Sequence, residues 1–180
     1  MVSFLYRLVF HPFSTISDGI LLSSRPAYAS LVVLGLLSLQ SSCSYFLFFL
    51  MPLYGLLLAC LVAAYAVAVD FAVQFWRKTG KSKDLFHWFV LAWHPMLFLG
   101  LLHVVPFSPL KWAFLYTFFS FTLLIYVGVL QIYVVYKLYG LSKTEATCAY
   151  MCPLVIPIGV LGLCVFIFSA YGIFFFRGFL

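Results

Sequence analysis

The feature that most constrains this chain is a long stretch without a charged side chain, positions 26–69, which separates Arg25 from Asp70. One helix needs roughly 20 residues to cross a hydrocarbon core, so these 44 positions are too many for one crossing. A break is predicted at Met51-Pro52, because proline lacks the N–H of a helical hydrogen bond and restricts the residue before it. The stretch therefore predicts two consecutive membrane spans.

The composition also indicates a chain that is surrounded by lipid rather than by water. Of the 180 residues 66% are hydrophobic and 8% are charged, whereas soluble domains carry about 25% charged residues. We therefore predict an all-α, polytopic membrane protein. The net charge of +6 does not indicate nucleic-acid binding, because the basic residues fall between apolar runs, where lipid headgroups and topology explain them. The expected partner is the lipid bilayer.

Polar connections divide the remaining chain into further apolar runs. The loop 77–84 precedes the third run, prolines at 106 and 109 end it, and the segment 137–145 separates the fourth run from the fifth. We expect one domain, residues 1–180, with a cytoplasmic or interfacial lead-in at 1–25 and spans near 27–49, 53–76, 85–105, 111–136 and 146–176. The lead-in predicts short interfacial helices on either side of Pro12, as part of the mature protein. Ser142 and Glu145 fit the S-x-x-E box that begins a helix.

Orientation follows from the positions of lysine and arginine. Eight cations lie on one predicted side: Arg7, Arg25, Arg77, Lys78, Lys81, Lys83, Lys137 and Lys143. The other side holds Lys111 and Arg177. We therefore expect a cytoplasmic N-terminus and a periplasmic or lumenal C-terminus. The basic loop of Arg77, Lys78, Lys81 and Lys83 is the candidate site for cytoplasmic contacts.

Three segments, taken in order, resemble the Yip family, the five-span Ypt/Rab-interacting-protein domain. They are YRLVFHPFSTISDGI (Tyr6–Ile20), GKSKDLFHWFVLAWHPMLFL (Gly80–Leu99) and VVYKLYGLSKTEATCAYMCPLVIPI (Val134–Ile158). The short lead-in and the lack of a DLYGP-type motif make the chain similar to bacterial-style short members. The resemblance implies a non-enzymatic integral membrane protein, with protein partners in the membrane or at its cytoplasmic face, in a bacterial inner membrane more than in ER or Golgi.

Four polar side chains are predicted to lie within the spans. Helical rise from the neighbouring loops places Asp70, His87 and Gln131 about 5–10 Å deep, and His94 about 15 Å deep. Polar groups at such depths are costly and are candidates for function. They predict either a cluster that handles protons or a ligand, as in a small transporter or transporter subunit, or structural contacts between helices. We expect Asp70 to pair with His87 or His94, with Gln131 as an alternative neighbour, although it could also pair with Arg77.

Enzymatic and metal chemistry have weaker signals. No G-x-S-x-G, H-E-x-x-H or P-loop pattern is present, so we expect neither catalysis nor a cofactor. Cys148 and Cys152 share a helical face beside Met151 and would suit a soft metal such as Cu(I). No second pair completes a site, and we interpret the five cysteines as small core residues.

Overall fold

A computed structural model of the chain describes residues 2–21, 26–44, 51–76, 78–99 and 109–177. These ranges are helical and contain no strand, which confirms the all-α prediction. The α-helices are α1 (Val2–Phe10), α2 (Pro12–Leu21), α3 (Pro26–Ser44), α4 (Met51–Gln74), α5 (Ser82–Ala92), α6 (Pro109–Tyr139) and α7 (Lys143–Arg177), and a 3₁₀ helix, His94–Phe98, follows α5.

The core is centred on α5. The helices α3, α4 and α6 all pack against it, and Leu85, Phe89 and Leu91 on this helix are fully buried. Every residue from Trp88 to Ala92 is buried, which is more than one full helical turn. A helix that is buried around its whole circumference is typical of a position inside a bundle.

The first two helices confirm the predicted lead-in helices, and Pro12 begins the second of them. They pack on the bundle, because Leu8 and Ile16 are each 1% exposed. A Cβ placed at Gly19 would overlap Cη2 of the Trp88 ring on α5. Only glycine therefore allows α2 to approach the core so closely. Their position at a membrane surface stays a prediction.

The predicted third span, 85–105, is not one continuous α-helix. It changes to 3₁₀ geometry after Trp93, because Pro95 has no N–H to donate to the carbonyl of Leu91. Both α3 and α6 contact this 3₁₀ helix. The remainder of this predicted span, 100–105, lies outside the described residues, as does the segment 45–49 of the first predicted span.

A tight turn joins α6 to α7. Gly140 has a φ of 60°, the left-handed conformation that commonly ends a helix and that glycine adopts without penalty. Leu141 after it is buried, and the N–H of Glu145 then bonds the Ser142 hydroxyl at 3.3 Å. The Ser142 N–H returns a bond of 2.8 Å to the Glu145 carboxylate. This reciprocal pair confirms the predicted capping box.

The described residues contain two helical segments that are long and apolar enough to cross a membrane. These are Pro52–Gln74, with a mean hydropathy of 2.4, and Ala113–Tyr139, with a mean hydropathy of 2.1. Their outer faces carry large exposed apolar side chains, such as Phe71 at 63% and Phe114 at 71%. Exposed apolar surface of this extent is typical of a face that contacts another apolar phase.

Candidate functional site

Asp70 is the acceptor that fastens the loop after α4 to the bundle. Its side chain is buried, at 6% exposure. The backbone N–H of Lys81 donates to Asp70 Oδ1 at 2.7 Å, and the hydroxyl of Tyr139 on α6 donates to the same oxygen. One carboxylate thus bonds the loop that leads into α5 and the last turn of α6. Bonds to a charged acceptor are about twice as strong as neutral ones.

The loop backbone approaches this carboxylate so closely that a side chain has no room. A Cβ at Gly80 would lie 2.9 Å from Asp70 Oδ2 and 3.4 Å from Gln74 Nε2. Beside it, Lys81 Nζ donates to the carbonyl oxygen of Leu138 at 3.3 Å. This carbonyl belongs to the C-terminal turn of α6, where the helix dipole favours a positive charge. The Gly80-Lys81 pair therefore contacts both helices.

His87 joins α5 to α3. Its Nδ1 lies 2.9 Å from the Oγ of Ser30, and Ser30 already donates its own hydroxyl proton to the carbonyl of Ala27 at 2.8 Å. Because a hydroxyl carries only one proton, His87 must donate from Nδ1 to Ser30. The histidine is thereby fixed in the Nδ1–H tautomer as a contact between two helices.

His94 compensates for the proline that follows it. Its Nδ1 lies 2.9 Å from the carbonyl oxygen of Leu91, which is the carbonyl that Pro95 cannot bond. A carbonyl only accepts, so His94 donates from Nδ1. The side chain is buried and replaces a missing backbone hydrogen bond at the end of α5.

Gln131 joins α6 to α7. The Tyr150 hydroxyl donates to Gln131 Oε1 at 2.8 Å, and the Tyr65 hydroxyl on α4 donates to the carbonyl of Tyr150 at 2.6 Å. The rings of Tyr65 and Tyr150 meet edge to face with centroids 5.4 Å apart, a favourable aromatic geometry. Three helices are therefore connected through one tyrosine of α7.

The four predicted polar residues are consequently not one cluster. Each hydrogen-bonds a different group: Asp70 the Lys81 backbone and Tyr139, His87 Ser30, His94 its own helix, and Gln131 Tyr150. The expected pairing of Asp70 with His87, His94 or Gln131 is wrong. The Asp70 carboxylate accepts instead from the backbone N–H of Lys81 and from the Tyr139 hydroxyl. The arrangement matches the alternative of structural contacts between helices.

The basic loop lies at the same end of the bundle as the Asp70 contacts. Lys78, Lys81 and Lys83 are exposed, while the structure of Arg77 lies outside the described residues. Lys137 and Lys143 are also exposed, and Nζ of Lys137 lies 5.2 Å from the centroid of the Tyr136 ring. We call this set the basic surface; its members are Lys78, Lys81, Lys83, Lys137 and Lys143.

Two acidic groups border the basic surface: Asp84, which follows Lys83 in the chain and is exposed, and Glu145. The Ser142 backbone N–H, followed by the Ser142 hydroxyl, stabilises the charged form of Glu145 and lowers its pKa below the usual value, with a smaller contribution from the positive charge of Lys78. Glu145 therefore stays ionised at the start of α7. There it also complements the positive end of the helix dipole.

The prediction that the cysteines are small core residues is wrong for those that the structure describes on α4 and α7. Cys60, Cys148, Cys152 and Cys164 are free and exposed, on helix faces that carry other exposed apolar side chains. Among the residues that the structure describes, no group of three or more histidine, cysteine, aspartate or glutamate side chains comes together as a metal site.

Tyr139, Tyr150 and Ser30 are the polar partners that sequence reasoning missed. All three are weakly polar residues in or beside apolar runs, so hydropathy does not distinguish them from their neighbours. The useful signal was position along the helix, since Tyr139 lies two residues after Lys137 and next to Gly140, near the end of its helix.

In comparisons with known proteins, no family model, no curated protein and no solved structure matches the chain.

Proposed function

We propose that this chain is a Yip-like integral membrane protein of five spans that performs no enzymatic reaction and acts by binding partners or organising the membrane at its cytoplasmic face. The Yip resemblance of its three segments and the eight-to-two distribution of cations support this assignment. The two long apolar helices agree with insertion into a bilayer.

The observation that carries the proposal is the anchoring of the basic loop. Asp70 accepts the Lys81 N–H and the Tyr139 hydroxyl, which holds the loop against α4 and α6. The lysines on either side of this anchor, Lys78 and Lys83, are exposed. A fixed array of cations suits an anionic membrane surface or an acidic partner, because little conformational entropy is lost when the partner binds.

The same contacts weigh against the transporter alternative. A relay for protons or ions needs polar groups that face one another along a path. Here His87 and Gln131 each bond a different helix, and His94 is committed to the backbone of its own helix. The in-span polar groups therefore support a static bundle that presents its basic surface.

Topology is the first test. Reporter fusions after residue 80 and after residue 142 should be active in the cytoplasm, and a fusion at Leu180 should be active on the opposite side. A cytoplasmic Leu180 fusion would contradict the five-span architecture and, with it, the Yip assignment.

Partner binding is tested by photo-crosslinking in native membranes. A photoreactive amino acid at the exposed Thr79 or Thr144 should give discrete protein adducts, whereas one at the exposed Phe118 should not. Exchanging Lys83 and Lys143 for glutamate should abolish the adducts, and exchanging both for arginine, which retains the charge, should preserve them. Equal adducts at all three probe positions, or adducts insensitive to charge reversal, would refute a role for the basic surface.

A further inference from the structure

A cavity of about 340 Å³ lies between α4, α6 and α7, with Trp93 behind it. Its walls are mainly apolar side chains, including Leu58, Val62 and Val127. Small-molecule sites in proteins have volumes of roughly 300–1,000 Å³ and are lined by apolar groups with a few polar ones. The size and lining of this cavity therefore suit one small apolar molecule.

The cavity opens sideways on the bundle. Leu61 on α4 and Leu124 on α6 both line it, and they are 60% and 50% exposed. Both belong to the two helical segments that can cross a membrane. A molecule would therefore enter from the apolar phase around these helices, which favours an occupant that dissolves in lipid.

Two residues that line this cavity, Trp93 and Gln131, carry hydrogen-bond donors. The Nε1–H of Trp93 is buried without a partner among the described residues. Gln131 also lines the cavity; its Oε1 accepts from Tyr150, and its Nε2 is a second donor group at the wall. An indole N–H and an amide NH₂ can only donate. Buried donors are nearly always satisfied in folded proteins, so the Trp93 N–H indicates a missing acceptor.

We propose that this cavity binds a neutral, lipid-soluble molecule whose carbonyl oxygen accepts from Trp93 and Gln131. None of the described residues that line the cavity is cationic, so an ionised carboxylate would be buried there without a counter-charge, at high cost. The carbonyl belongs either to the acyl ester of a bilayer lipid or to a free lipophile such as a quinone. The site is independent of the basic surface and of its partners.

The test compares two probes of equal carbon skeleton with the purified, full-length protein in detergent. Duroquinone carries two carbonyl groups on a tetramethyl ring, and durene is the same tetramethyl ring without them. Binding is measured as the rise in unfolding temperature with probe concentration. We expect duroquinone to bind about tenfold more tightly than durene, as for a ligand that satisfies a buried donor. Equal binding of the two probes would overturn the role of the carbonyl.

Substitutions of residues that line the cavity test whether the probes bind there. Trp93→Phe and Gln131→Met each remove one donor while retaining the bulk of the side chain, and each should weaken duroquinone about three- to tenfold with no effect on durene. Gly128→Leu should block both probes, because Gly128 lines the cavity. Gly35→Leu is the matched control, since a Cβ at Gly35 meets nothing within 4 Å and the residue lies at a different groove. Binding that survives Gly128→Leu, or that is absent from the wild type, would overturn the site.

A last comparison identifies the source of the carbonyl. Duroquinone binding is measured after reconstitution in ester-linked phosphatidylcholine and in its ether-linked analogue, which lacks carbonyl groups. Weaker binding in the ester lipid would assign the cavity to acyl chains of the bilayer, which compete with the probe. Equal binding in both would assign it to a free lipophile.

Discussion

Replacing Gly80 with alanine tests the anchoring of the basic loop directly. The new Cβ would lie 2.9 Å from Asp70 Oδ2, closer than such atoms pack, so either the loop or the carboxylate must move. Either movement lengthens the 2.7 Å bond from Lys81 N–H to Asp70 Oδ1. A hydrogen bond to a charged group contributes about 1.5–3 kcal/mol, and we expect Gly80→Ala to lower the free energy of unfolding by about that amount.

A double-mutant cycle with Asp70→Ala separates this clash from any other effect of the extra methyl group. Without the carboxylate, nothing opposes the Cβ at position 80 except Gln74 Nε2 at 3.4 Å, the end of an exposed side chain that can turn away. In the Asp70→Ala background, Gly80→Ala should therefore cost less than about 0.5 kcal/mol, the range of a surface substitution. The expected coupling between the two positions is about 1–2.5 kcal/mol.

The measurement is reversible unfolding of the purified protein in mixed detergent micelles, followed by circular dichroism. Thr79→Ala, at an exposed neighbouring loop position, is the control and should change the unfolding free energy by less than about 0.5 kcal/mol. A Gly80→Ala variant that loses equal stability with and without the Asp70 carboxylate would refute the reasoning, because the loss would then arise elsewhere.

Three further predictions concern separate contacts. Gly19→Ala should destabilise the protein by about 1–3 kcal/mol and increase protease cleavage in the lead-in helices, because its Cβ would overlap the ring of Trp88; unchanged cleavage would contradict this packing. His94→Ala should lower the unfolding free energy by about 1–3 kcal/mol, while His94→Asn, with an amide N–H near the position of Nδ1, should retain most of it; equal losses would exclude the donor role. The folded-state pKa of Glu145 is lowered, so its contribution to stability is present above the unfolded pKa and disappears as the pH falls through the folded one. Unfolding of the wild type should therefore depend on pH in the acidic carboxyl range more than that of Glu145→Gln, and superimposable pH profiles would refute the linkage.

Much of the helical layout could be predicted because proline, glycine and capping residues act locally. The helix α4 begins at the predicted Met51-Pro52 break, and the capping box of Ser142 begins α7. The interruption of the third run at Pro95 was harder to predict. Apart from His94, the residues on both sides of Pro95 are apolar, so hydropathy does not show the interruption. The switch to 3₁₀ geometry depends on the backbone hydrogen bond that Pro95 cannot donate to Leu91, and composition does not predict how the chain responds to its loss.

The sequence identified which polar residues are buried but not their hydrogen-bond partners. Asp70, His87, His94 and Gln131 were predicted to lie within the spans, and each is partly or fully buried in the bundle; their depth in a membrane stays a prediction. Their partners depend on rotation of the helices about their axes and on a loop that folds back, and neither follows from rise per residue. Because nearly every residue has a backbone N–H, the sequence does not show which one, here that of Lys81, will bond a given side chain.

These separate contacts share a physical reason. In the membrane-inserted bundle that we propose, the hydrophobic effect contributes little between helices, because the acyl chains are as apolar as the side chains they replace. Polar bonds then help to select which helices become neighbours, and here His87 bonds α5 to α3, Asp70 bonds its loop to α6, and Gln131 bonds α6 to α7. Each of these three bonds restricts one pair of neighbouring elements in the bundle. A single convergent cluster of the same side chains would have fixed one point and left the other interfaces to packing alone.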